Sequence, residues 1–337
     1  FHGFVVMGGA LWGTVIGAML GGYPTNAFGR KYTLIGIGIL FLASSIGAAL
    51  SGDPWSFAIF RFIGGLGIGA STIAAPAYLS EIAPAHLRGR LVAMYQLSIV
   101  LGILIAFLSN YLLQGAGDDA WRWMVGVGAF PAAVYSIMIA YVPESPRWLV
   151  LKGKVDAAAQ LLKIIDPATP IATYVAENSA QASHSQESIF DRKYSVALLL
   201  VFFIAFFNQL SGINAFLYYS RRIFEDAGLG SGHALLSSVG VGVVNVLFTL
   251  LGMALIDRLG RKQLMYIGSF GYILSLSLVA ISFFLGWQGL AIPVFFFLFI
   301  ASHAVGQGAV IWVFIAELFP THLRASGQAF GSSVHWV

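Results

Sequence analysis

The sequence predicts an all-α membrane protein made of two parallel six-helix halves, incomplete at both ends, and three observations lead there. Of its 337 residues, 58% are hydrophobic and 9% charged, at a mean hydropathy of +0.83, outside the range of a soluble globular chain. Charge-free runs long enough to cross about 30 Å of hydrocarbon, about 20 residues at 1.5 Å each, recur from one end to the other. Two motifs also repeat in the same order at nearly one offset.

The runs cover residues 4–29, 32–52, 57–80, 91–117, 123–142, 195–220, 234–256, 264–287 and 288–316, and a tenth opens at Ala325. Arg61 is the single charge inside them. Backbone groups in lipid must be satisfied within the segment, so each run is expected to be a helix, and the period-2 alternation of a barrel strand is absent. Arg30, Lys31, Arg88, Arg90, Arg258, Arg261, Lys262 and Arg324 fall in loops that alternate with loops holding only Arg122, Arg221 and Arg222, which places the richer set in the cytoplasm. The long polar stretch 143–194 lies on that same side. It mixes both charge signs with Ala-rich helical patches such as Val155–Ile165 and reads as an amphipathic connector.

Phe28-Gly29-Arg30-Lys31 recurs as Leu259-Gly260-Arg261-Lys262, an offset of 231 from Gly29 to Gly260. Glu81-Ile82-Ala83-Pro84-Ala85-His86-Leu87-Arg88 recurs as Glu317-Leu318-Phe319-Pro320-Thr321-His322-Leu323-Arg324, an offset of 236 from Glu81 to Glu317. Repeats on one side of the membrane imply halves related by an axis along its normal. The domains are thus expected at 1–142 (second to sixth helices), 143–194 (connector) and 195–337 (seventh to part of the eleventh helix). The second half has a helix, 195–220, ahead of its Gly-Arg-Lys loop, so its counterpart is expected upstream of residue 1. The chain reads as a fragment of a protein with six plus six helices.

A net charge of +4 without a basic run argues against nucleic acid as partner, and zero Cys excludes thiol chemistry. Gly65-Leu66-Gly67-Ile68-Gly69 lies inside a span and reads as close helix packing rather than a dinucleotide loop. His303 and His335 fall within spans without a second ligand at metal spacing. No Ser-His-Asp set or pair of membrane carboxylates supports hydrolysis, so no enzyme activity and no cofactor or metal are expected.

Several strings carry a resemblance over nearly the whole chain. The paired Gly-Arg-Lys loops, Arg61-x3-Gly65-x3-Gly69, Pro143-Glu144-Ser145-Pro146-Arg147-Trp148-Leu149 and Gln209-Leu210-Ser211-Gly212-Ile213-Asn214 with Tyr218-Tyr219 resemble the sugar porter family of the major facilitator superfamily. The resemblance implies the major facilitator fold in a plasma or bacterial inner membrane, and transport of a monosaccharide, with or without proton coupling, by a monomer in the lipid bilayer. Alternatives are transport of another polar solute such as a polyol, or a non-transporting sugar sensor.

A sugar offers hydroxyls that donate and accept, plus an apolar ring face, so a dry site needs amides and an aromatic plane. Mid-membrane candidates are Gln96, Asn208, Gln209, Asn214, Asn245, Gln307, Trp312 and Trp336. The resemblance implies sugar contacts at Gln96, Asn208, Gln209, Asn214 and Asn245, with Trp312 and Trp336 lining the pocket; interhelical hydrogen bonding and core packing are the plainer roles open to these residues. The family commonly has Gln-Gln where this chain has Asn208-Gln209. On an unbroken helix Gln209 and Asn214 lie about 140° apart, so a bend near Gly212 is expected.

The resemblance further implies a cytoplasmic latch, with candidates Glu81, Arg88, Glu144, Arg147, Asp257, Arg258, Glu317 and Arg324. Asn26 replaces the family's Asp in the first loop, while the second copy keeps it as Asp257. Arg61, roughly 9 Å from the end of its helix, calls for a partner or for snorkelling; in proton-coupled relatives the matching arginine faces an Asp on the first helix.

Overall fold

The computed structural model describes residues 2–84, 87–167, 169–183, 187–287, 289–320 and 323–336. Among them are seventeen α-helices and no strand. In chain order these are α1 (His2–Leu20), α2 (Gly22–Ala27), α3 (Arg30–Leu50), α4 (Pro54–Ile82), α5 (Arg88–Leu113), α6 (Ala120–Gly126), α7 (Ala129–Tyr141), α8 (Pro146–Leu151), α9 (Val155–Ile165), α10 (Ile171–Ser183), α11 (Ser195–Leu210), α12 (Ile213–Asp226), α13 (Ser231–Leu259), α14 (Arg261–Phe284), α15 (Ala291–His303), α16 (Ala309–Glu317) and α17 (Arg324–Trp336). Eight helical stretches among the described residues are long and apolar enough to span a membrane, and they coincide with the second to ninth apolar runs. Large apolar side chains point outward along them, Phe130 at 75% and Phe284 at 88% exposure, as a lipid-facing surface requires.

The chain forms two compact units, one of Phe1–Val92, Asp118–Phe202 and Ala316–Val337, the other of Ala93–Gly117 and Phe203–Ile315. In the first, α1 and α4 cross through small residues. Gly9, Gly13 and Gly17 of α1, one every fourth residue, rest on the backbone of Ala58, Phe62 and Leu66; Gly65 and Gly69 rest in turn on Ala10 and Thr14. Two backbones can approach this closely only where no Cβ intervenes, which is the packing role expected for the 65–69 glycines.

Further along this unit, α4 opens with Asp53 as its N-cap, Oδ1 accepting from the N–H of Trp55 at 2.9 Å and of Ser56 at 3.0 Å, with Pro54 in the first turn. Arg122 closes the far end of α3: Nη1 donates to the carbonyls of Ala49 (2.8 Å) and Ser51 (2.6 Å), placing a cation at the negative end of the helix dipole. Leu34, Ile37, Ala74, Tyr78 and Ile139 form the core between α3, α4 and α7. Within 143–194 lie the helices α8, α9 and α10. Ala158 and Leu162, four apart, are buried on the inner face of α9. Beyond α10, Phe190 meets Phe330 and Tyr194 meets Phe319, ring to ring.

In the second unit Phe216, Phe224, Phe296 and Phe299 interlock α12 with α15, with centroids 4.9 to 5.1 Å apart along the chain of contacts. Glycines again set the closest approaches: Gly242 of α13 lies on Leu104 of α5, and Gly268 of α14 on Gly306. Gly306 belongs to a π-helical turn, Ala304–Gly308, that interrupts the helix between α15 and α16. Such turns widen the i→i+4 ladder and are frequent at functional sites.

Candidate functional site

The amide-rich segment is built by a break. α11 stops because Ser211 Oγ donates to the Asn208 carbonyl at 2.6 Å and the Gly212 N–H turns back to the Gln209 carbonyl at 3.0 Å. Gly212 then takes φ +78°, a conformation open to glycine, and α12 begins at Ile213. The bend removes the separation of about 140° that a straight helix would impose. Asn214 Nδ2 donates to Gln209 Oε1 at 3.3 Å, so the two amides share one face. One residue earlier Asn208, 4% exposed, accepts at Oδ1 from His303 Nε2 at 3.1 Å.

The same unit holds Gln96, Asn245 and Trp312. Asn245 is buried on α13, Gln96 half-buried on α5, and neither makes a side-chain hydrogen bond among the described residues. Trp312 is half-buried one turn past the π segment. Gln307 is differently engaged. Its Nε2 donates to Ser269 Oγ (2.7 Å) and to the Met265 carbonyl (3.3 Å), so it joins the π turn to α14. Trp336 belongs to the other unit, where its indole N–H is buried without a hydrogen-bond partner among the described residues and its ring stands edge-on to His335 at 5.1 Å.

The charge cluster at the start of α3 is buried and paired. Arg30 Nη2 donates to Glu81 Oε1 at 2.8 Å, while Nε lies 2.8 Å from Oε2 without hydrogen-bond alignment; the two side chains are 8% and 7% exposed. Ser145 Oγ donates to Glu81 Oε2 at 2.5 Å. Glu144 Oε1 accepts the backbone N–H groups of Arg30, Lys31 and Ser145. The Trp148 indole donates to the Asn26 carbonyl at 3.0 Å, while the Asn26 side chain is exposed.

The other charged candidates are less embedded. Arg147 has a buried Nε without a hydrogen-bond partner among the described residues. Asp257 approaches Arg261 only to 3.8 Å and is 86% exposed, and Arg258 beside it is exposed. Arg324 Nε reaches the Phe319 carbonyl at 3.5 Å, and Glu317 is exposed. Arg61 is half-buried and has no ion-pair or hydrogen-bond partner among the described residues. The side chain of Arg88, with His86, Thr321 and His322 of the repeated motifs, lies outside the described residues.

A family model described as "Sugar (and other) transporter" matches residues 4–337. The chain belongs to the sugar transporter family. It is 32% identical over 354 residues to the D-xylose-proton symporter of Escherichia coli (strain K12), covering 97% of this chain and 72% of that protein. To the glucose transporter GlcP of Staphylococcus epidermidis it is 37% identical over 338 residues, covering 98% of this chain and 74% of that one. Among solved structures it is similar to the major facilitator superfamily proton:xylose symporter XylE bound to 6-bromo-6-deoxy-D-glucose, with a TM-score of 0.86 at 32% identity over 99% of this chain and 76% of that one. It matches a partially occluded inward-open XylE equally well, at TM-score 0.86, 31% identity and coverage of 99% and 79%. The fold is that of the major facilitator superfamily, and the family's members are transporters.

Three residues of this sugar transporter family member make buried side-chain contacts that their sequence context does not mark: Arg30, Ser145 and His303. Arg30 is the arginine of a repeated motif, and its charge by itself marks only a loop cation. Ser145 sits within a family string without a role of its own. The partner of His303, Asn208, is 95 residues away in sequence, so no local spacing marks the pair.

Proposed function

We propose that this protein carries a monosaccharide, a hexose or a pentose, across the cell membrane by alternating access between an outward-facing and an inward-facing state. The observation that carries the reading is the Gln209–Asn214 pair across the Gly212 break, with Asn208 beside it, in a chain of the sugar transporter family. Amides donate and accept at once, which is what a ring of hydroxyls asks of a dry site. Asn245, a buried amide without a protein partner among the described residues, fits a group that bonds to a ligand. Gln96 and Trp312, in the same unit, are proposed with them, and Trp336 is proposed from the sequence alone.

Relatives named for xylose, arabinose and glucose support a simple sugar as cargo, and those named proton symporters support coupling to protons. Arg61 is the proposed coupling charge, since a half-buried cation without a carboxylate partner is costly in a membrane span. The proposed organisation is two halves at 1–142 and 195–337 joined by a connector at 143–194, in a monomer whose Gly-Arg-Lys loops and connector face the cytoplasm. The Arg30–Glu81 pair with Glu144 and Arg147 would steady the outward-facing state; Asp257, Arg258, Glu317 and Arg324 are proposed in the same role from the sequence. Arg88 is proposed with them from the sequence.

The test is uptake of labelled D-xylose, D-glucose and L-arabinose into proteoliposomes with and without an imposed proton gradient. Saturable uptake of at least one sugar, with affinity lowered about tenfold or more by Gln209→Ala, is expected, because a hydroxyl loses a desolvated partner. Absence of uptake and of binding for all three would overturn the reading.

A further inference from the structure

We propose that His303 is a positioning residue for the substrate amides, holding the Asn208 carboxamide in one orientation and thereby setting which sugar epimers the site accepts. The inference rests on the reading of Asn208 and Gln209 as sugar contacts.

Both partners of this hydrogen bond are buried, Asn208 at 4% and His303 at 9% exposure, and both stand at irregular backbone. The Asn208 carbonyl accepts from Ser211 Oγ at 2.6 Å and from the Ser211 N–H at 3.3 Å, in the turn that ends α11. His303 is the last residue before the π turn. One side-chain contact thus ties the break in one helix to the irregularity in another, 3.1 Å apart.

The imidazole is confined on several sides. Phe299, one turn earlier on α15, lies with its ring centroid 6.3 Å away and tilted 47°. The five-residue register of the π turn brings Gly308 beneath His303, where a Cβ on Gly308 would come 3.7 Å from Nδ1 and 3.3 Å from the His303 carbonyl. With Asn208 Oδ1 as acceptor, Nε2 carries the proton. A ring held this way can aim its partner. An amide side chain presents a donor on one end and an acceptor on the other, so fixing Oδ1 against Nε2 fixes the direction of Nδ2 as well. Axial and equatorial hydroxyls lie in different directions from a sugar ring, so an amide of fixed orientation discriminates between epimers where a turning one would not.

The test uses the whole protein in proteoliposomes, with D-glucose, D-galactose and D-xylose as probes. In His303→Phe the KM of the preferred sugar is expected to rise about tenfold, the equivalent of one hydrogen bond in a dry site, with the maximal rate near wild type. The preference between the two hexose epimers narrows in the same variant. His303→Gln, whose amide Nε2 can stand where the imidazole Nε2 stood, restores the KM to within about threefold, while the shorter His303→Asn does not; that pair of variants carries the decision if the phenylalanine variant does not fold. Asn208→Ala added to His303→Phe costs little more than either change alone, since both remove the same interaction. A wild-type KM and epimer ratio in His303→Phe beside a raised KM in Asn208→Ala overturns this inference alone, as do losses that multiply in the double variant. Unchanged KM in both Asn208→Ala and Gln209→Ala overturns the pocket reading and this inference with it.

Discussion

Glu144 caps the helix that starts at Arg30, its Oε1 accepting the backbone N–H of Arg30 at 2.9 Å and of Lys31 at 3.1 Å. A carboxylate from 114 residues away thus supplies what a local N-cap side chain supplies elsewhere, at the positive end of the α3 dipole. The residue in the N-cap position is Gly29, at φ +102°, and a Cβ there would run into the Glu144 carboxylate and the Trp148 ring. The cap therefore depends on a glycine that makes room for an acid carried by another segment. Beneath it Arg30 turns its guanidinium to Glu81, so two carboxylates divide one arginine between backbone and side chain.

Removing one member of the buried pair is expected to cost more than removing both. Glu81→Ala leaves the Arg30 guanidinium desolvated beside an empty partner site, worth about 3–5 kcal/mol for a buried ion. Arg30→Met combined with Glu81→Leu should melt closer to wild type than either single truncation. Thermal unfolding in detergent decides it; a Glu81→Ala protein that melts within a degree of wild type would show that water already reaches the pair.

The glycine crossing of α1 and α4 gives a sharper contrast. Gly65→Ala places a methyl against the Ala10 carbonyl and Gly13, where backbone cannot yield locally, and overpacking of this kind costs about 1–3 kcal/mol. Gly36→Ala on α3 meets no atom within 4 Å and sits mid-helix, so a gain of up to about 1 kcal/mol is expected. Melting curves of the two variants should move in opposite directions.

The sequence spoke clearly about the helices because charge-free length is a one-dimensional property: the eight spans fall on runs that can be read without tertiary contacts. The Gly212 break was legible too, since Gln209 and Asn214 made sense together only if the helix bent. Partners far apart in the chain were not. Nothing local marks Glu144 as the cap of Arg30, or His303 as the partner of Asn208, because each bond joins segments that meet only in space. The π turn was likewise hidden; its Gly306 and Gly308 look like ordinary membrane-helix glycines until Gly268 is seen pressed against the first of them.

Asp53 offers a pH test outside the membrane. Hydrogen bonds from the Ser56 backbone, then from its hydroxyl, hold the Asp53 carboxyl below the usual carboxylate range. A depressed folded-state pKa means that the cap stabilises α4 fully above the ordinary carboxylate value and is lost as pH falls through the lower, folded one. Melting temperature should therefore fall less between pH 6 and pH 3 in Asp53→Asn than in wild type. An identical pH profile for the two proteins would mean that the cap contributes nothing measurable at this exposed site.

The two Gly-Arg-Lys loops should answer mutation differently, because only the first is buried. Asp257 is 86% exposed and 3.8 Å from Arg261, so Asp257→Asn is expected to change stability by less than about 1 kcal/mol after solvent screening. In the first loop, Asn26-Ala27 stands where the second has Asp257-Arg258, and the Asn26 contact that the fold uses is its backbone carbonyl, which accepts from the Trp148 indole at 3.0 Å. Asn26→Ala should therefore be nearly silent in melting experiments, whereas Trp148→Phe, which keeps the buried ring but leaves that carbonyl without its donor, should cost about 1–2 kcal/mol. If the exposed carboxylate of Asp257 matters, it does so in one transport state only. Asp257→Asn should then slow uptake and raise access of a cytoplasmic-side thiol probe to an engineered cysteine, with melting unchanged. Asn26→Asp, by placing an anion beside the first turn of α3, should bias the protein the opposite way and lower that access. Side-by-side uptake and labelling in proteoliposomes separate the two effects, and an Asn26→Ala protein that transports worse than Asp257→Asn would show that the Asn26 amide itself takes part.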